Sequence, residues 1–82
     1  MEATNSFLID STLKEIAKAY TSGTLKWAKR TRPKDWTKLL VQEAMISKTA
    51  AEGDLVGLKE ALSEYQESIS GLCKRFRKEN LR

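Results

Sequence analysis

The chain has 82 residues, 40% of them apolar and 32% charged, and carries a net charge of +4. That length supports one domain, because separate cores need about 50 residues or more each. The composition excludes a disordered tail, and with no histidine and a single cysteine, Cys73, the chain offers no disulfide framework, no Cys/His zinc site and no Cys–His nucleophile pair.

The longest apolar run near the N-terminus is Phe7-Leu8-Ile9. It is too short for a signal peptide and far from a membrane span of about 20 residues, so membrane insertion is not expected. A lone thiol suits a reducing compartment, and the expected location is cytoplasmic. With one proline and four scattered glycines, the sequence reads as all-α. The predicted fold is a small helical bundle of three main helices, with a short fourth as an option before Pro33. Residues 1–9 read as a loose N-terminal arm and residues 10–80 as a single helical bundle domain.

Asp10, Ser11 or Thr12 can cap the first predicted helix, and Thr12 with Glu15 has capping-box spacing. Leu13, Ile16, Ala17 and Tyr20 then form one helical stripe. Ser22-Gly23 interrupts it, and helical character resumes through Leu25, Trp27 and Ala28.

Pro33 suits the first turn of the next helix, where its missing N–H costs nothing. Trp36, Leu40, Val41, Ala44, Met45 and Ala51 sweep one side, and Leu39, Ile46 and Ala50 widen the arc. Only a wedge with Asp35, Lys38, Gln42 and Thr49 stays polar. So wide an apolar arc predicts neighbours on more than one side, and hence a central helix.

Gly53 stops that helix and Asp54 caps the last one. So short a link predicts that these two helices are antiparallel neighbours. In the last helix Leu55, Leu58, Leu62, Tyr65, Ile69, Leu72 and Phe76 keep a heptad spacing. Its flanks, Lys59, Ala61, Gln66, Ser68, Cys73 and Arg75, are mostly small or neutral. They favour a stripe packed inside the chain's own bundle over the competing reading, a structural homodimer through residues 55–76.

Nothing in the sequence supports catalysis. No glycine-rich phosphate loop occurs, and Glu60, Glu64 and Glu67 lie at helical spacing opposite the heptad, as a solvated face. Cys73 reads as a small hydrophobe beside the stripe. No cofactor, metal or catalytic residue is expected. Residues 13–30 have a partial helix-turn-helix pattern, but Thr21 stands where the turn needs glycine and Arg30 where the second helix needs an apolar anchor.

Charge, by contrast, is segregated. Residues 26–38 carry six cations against one carboxylate and residues 72–82 carry five against one, while the rest holds four cations and nine carboxylates. The antiparallel link brings both basic segments toward one end. Lys26, Trp27, Lys29, Arg30, Arg32, Lys34, Arg75, Arg77 and Lys78 are therefore the predicted partner-binding residues. The expected function is a non-catalytic interaction module that binds a protein through this basic end. Direct binding of DNA or RNA through the same cations is the alternative.

Overall fold

The computed structural model describes the backbone of residues 2–80 and the side chains of residues 7–80. The described chain is all-α. Its helices follow one another with almost no connecting chain: α1 (Glu2–Ser22), α2 (Thr24–Thr31), α3 (Pro33–Glu52) and α4 (Leu55–Asn80).

Each break has a local cause. Gly23 takes a left-handed conformation, φ 87°, and its N–H turns back to Tyr20 O. Arg32 leaves the helical region just ahead of Pro33, as the residue before a proline tends to do, and Pro33 opens α3. At the end of α3, Gly53 is left-handed with φ 70°; its N–H reaches Ala50 O and that of Asp54 reaches Thr49 O, a Schellman closure. Asp54 then accepts the Gly57 N–H at 2.9 Å and so caps α4.

The expected loose arm over residues 1–9 is helical from Glu2 onward and continuous with α1, while Met1 lies outside the described residues. No glycine or proline interrupts the chain before Gly23. Thr12, read as a cap, sits mid-helix, where its hydroxyl donates to Leu8 O at 2.8 Å. That back-bond satisfies the hydroxyl inside the helix, so nothing is left to stop the helix there.

α4 contacts all three other helices. It is the central element, in place of the α3 that the wide apolar arc predicted. α1 and α3 each pack along α4, yet among the described residues they have no Cα atoms within 8 Å of each other. The heptad stripe does most of the packing: Leu62, Tyr65, Ile69 and Leu72 are buried, Leu58 and Phe76 half-buried, and Leu55 exposed.

α1 meets α4 through an unexpected face. Thr12 and Ala19 are buried, whereas Leu13 and Tyr20 of the predicted stripe are 57% and 75% exposed. Small side chains let the two helices approach closely, and Gln66 Nε2 of α4 secures the contact by donating to Ser11 Oγ at 3.0 Å. On α3, Leu39 and Thr49 are buried, while Leu40, Val41 and Met45 stay exposed. Along α3 and α4, Asp35 pairs with Arg75 and Glu43 with Tyr65.

α2 lies against α1, α3 and α4 together, with Thr24 and Ala28 wholly excluded from solvent. Around it the core gathers Ala19, Ala28, Leu39, Tyr65, Ile69 and Leu72, with Trp27, Trp36 and Cys73 packed on its edge. The molecule is elongated, 42 × 23 × 15 Å. Its accessible surface is 6004 Å², against about 5000 Å² for a typical monomer of this mass.

Candidate functional site

The predicted basic residues fall on three adjoining pieces of structure. Lys26, Trp27, Lys29 and Arg30 are on α2, Arg32 and Lys34 bracket Pro33, and Arg75, Arg77 and Lys78 are in the last turns of α4. Two ion pairs join these pieces: Arg32 Nη2 with Glu79 Oε2, and Arg75 Nη1 with Asp35 Oδ2 at 3.1 Å. The α2–α3 junction is thereby tied to the end of α4. Each pair is partly exposed, where such contacts contribute at most about 1 kcal/mol, so they orient the segments more than they stabilise the fold.

These pairs engage both carboxylates within the two basic segments. Lys26, Lys29, Arg30, Lys34, Arg77 and Lys78 are exposed, and none makes an ion pair among the described residues. Helix dipoles account for some of them: Lys29 and Arg30 close α2, and Arg77 and Lys78 close α4. Lys26 in the first turn of α2 and Lys34 in the first turn of α3 have no such explanation, because a helix start prefers anions.

Trp27 is not a free docking side chain. It is half-buried, packs edge-to-face on Phe76 with ring centroids 5.5 Å apart, and carries the Arg32 guanidinium 5.6 Å from its centroid. Lys29 Nζ lies 5.9 Å from the Trp36 ring centroid. The two tryptophans therefore anchor cations from the core side, a cation–π arrangement of about 0.5–1 kcal/mol at an exposed site. Beside them a surface recess of about 420 Å³ is lined by Tyr20, Leu25, Lys26, Lys29 and Trp36 around Gly23. Tyr20 belongs by its spacing to the apolar stripe of α1, and the rotation of α1 on α4 leaves it on the surface.

A second feature has no counterpart in the predicted site. Between α1 and α3, over the N-terminal half of α4, runs an open groove of about 580 Å³ with a predominantly apolar lining. Glu43 and Tyr65 meet within it, the Tyr65 hydroxyl donating to Glu43 Oε2 at 2.7 Å. Burial and then this bond to an anionic acceptor raise the Tyr65 pKa well above the ordinary tyrosine value.

Among the described residues no helix is long and apolar enough to cross a membrane. No protein-family model matches the chain, and comparison with curated proteins and with solved structures returns no significant match.

Proposed function

We propose that the chain is a small non-catalytic interaction module that binds an acidic protein surface through the basic end of its bundle. The arrangement behind this reading is three main helices with the short α2 between them, α3 and α4 running antiparallel. The pairs Asp35–Arg75 and Glu43–Tyr65 support that direction, since partners rise along one helix as they fall along the other. A reducing, cytoplasmic setting suits the lone thiol of Cys73.

One observation carries the proposal. Asp35 and Glu79 pair with Arg75 and Arg32, which leaves Lys26, Lys29, Arg30, Lys34, Arg77 and Lys78 without an ion-pair partner among the described residues. Within the site, Arg32 and Arg75 hold the two segments together, Trp27 supports Arg32, and the other cations face the partner. A protein is favoured over nucleic acid because the cations adjoin an apolar recess with Tyr20 and Trp36, and protein interfaces combine such aromatic surface with a charged rim. A homodimer through the heptad is not carried forward, because Leu62, Tyr65, Ile69 and Leu72 face this chain's own helices.

The test is affinity capture from extract of the native host, with and without nuclease, comparing the chain with a Lys26→Glu, Lys29→Glu, Arg30→Glu variant. Proteins captured by the native chain, retained after nuclease and lost with the variant support the proposal. Capture abolished by nuclease transfers the site to nucleic acid. Duplex affinity would then fall by roughly three orders of magnitude between about 50 and about 200 mM salt for six phosphate contacts. Equal capture by both proteins reduces the basic end to a solvated surface.

A further inference from the structure

We infer that the groove between α1 and α3 is a second docking site, which receives a basic amphipathic helix of a partner protein. It lies toward the opposite half of α4 from the basic end and does not depend on the function proposed there.

Among the described residues α1 and α3 both lie on α4 with no Cα atoms within 8 Å of each other, and α2 packs against all three toward the C-terminal end of α4. There Thr24 and Ala28 are fully buried. Over the N-terminal half of α4 the interval between α1 and α3 is open, floored by Leu58 and Leu62 and walled by Leu13, Ile16 and Ile46. The wall segments, residues 9–16 of α1 and 43–50 of α3, are each about 12 Å of helix at about 1.5 Å per residue. That is the length of the eight-residue α2.

The walls also explain where a sequence pattern went. Ile9, Leu13 and Ile16 keep helical spacing, yet the fully buried positions of α1 are Thr12 and Ala19, with Ile16 only half-buried beside them. Ile9 and Leu13 are turned into the groove, where no other element covers them among the described residues, while Ile16 packs at its base against the core.

Charge selects the guest. Glu43 is the one charged side chain lining the groove, it accepts a hydrogen bond from Tyr65, and no cation pairs with it among the described residues. A helix with an apolar stripe and a flanking lysine or arginine matches both lining and carboxylate. α2 has the same character, with Leu25 and Ala28 inward and Lys26, Lys29 and Arg30 outward.

The experiment titrates the intact chain with two synthetic helical peptides of about 14 residues, about 20 Å of helix. Both carry leucines at i, i+3, i+4 and i+7; one is flanked by lysines, its twin by glutamates. Methyl NMR is the readout. The lysine peptide is expected to shift the methyl signals of Leu13, Ile16, Ile46 and Leu58 and to bind about tenfold or more tighter than its twin. Glu43→Lys should reverse that preference, and Leu13→Asp, at an exposed position, should abolish binding with the fold intact by circular dichroism. Reversing Lys26, Lys29 and Arg30 should leave peptide binding unchanged, which separates this site from the basic end. Equal binding of both peptides, shifts confined to other residues, or a stable dimer with the groove methyls already covered by a second copy would each overturn the inference.

Discussion

The two halves of α4 present the same heptad stripe to different company. Toward its C-terminus, Ile69 and Leu72 meet α1, α2 and α3 at once, and the residues that close the gap are small: Ala19, Ala28 and Thr24, each wholly buried. Toward its N-terminus, Leu58 and Leu62 meet α1 and α3 alone, and the larger side chains on those walls, Leu13 and Ile46, border an open groove. A helix pair needs a third neighbour to exclude water from its apolar faces. Here the third neighbour is eight residues long, so it completes one half of the molecule and leaves the other open.

The contrast is broken or sharpened most strongly by truncation. Ile69→Ala and Leu39→Ala, at fully enclosed positions, should each cost about 2–5 kcal/mol, a large part of the stability of so small a domain. Leu13→Ala and Leu40→Ala, at half-exposed positions, should stay within about 1 kcal/mol of the native chain. Urea unfolding of the four variants decides it, and equal losses would mean that the groove is closed in solution. Enlargement is the next test. Ala28→Leu forces extra volume into the closed half and should cost about 1–3 kcal/mol. Ala50→Leu adds the same atoms to the open groove and should change stability by no more than about 0.5 kcal/mol. If thermal melts show the two costing the same, the halves are packed alike.

This half-and-half organisation was only partly legible in the sequence. Local chemistry announced the breaks: Gly53 with Asp54, Pro33, and the stop at Gly23 depend on residues within one turn of themselves. The heptad of α4 was legible too, because a single period runs the length of the helix. The orientation of α1 was not. Leu13, Ile16 and Tyr20 form as regular a stripe as any in the chain, yet only Ile16 packs on the core and the fully buried positions are Thr12 and Ala19, since close approach rewards small side chains and periodicity counts only apolar ones. The same blindness placed α3 at the centre, because its wide apolar arc reveals how much surface wants covering and not whether this chain covers it. At the basic end the segregation of charge was plain from composition, whereas the ties Arg32–Glu79 and Arg75–Asp35 needed three dimensions. Trp27, read as a contact residue, turned out to be the packed support beneath Arg32.

The smallest expected effect lies on the border of the two halves, at Tyr65. Its ring belongs to the enclosed core, while its hydroxyl reaches the groove and donates to Glu43. Tyr65→Phe should therefore cost about 0.5–1.5 kcal/mol at neutral pH, the net worth of one hydrogen bond. The pH dependence sets this apart from a loss of packing. The folded chain holds Tyr65 protonated well above the ordinary tyrosine range, first through burial and then through the bond to Glu43. A pKa raised by folding favours the protonated form in the native state, so the contribution is complete below about pH 10, where the unfolded tyrosine titrates. Above that, the unfolded chain releases its proton first, and the native chain should lose its advantage over Tyr65→Phe steadily as pH climbs. Denaturant unfolding of both proteins between about pH 7 and about pH 11 measures the gap. A gap that stays constant across the range would mean that the hydroxyl is not held neutral at the groove margin, and the enclosed half would then end at Ile69 rather than at Tyr65.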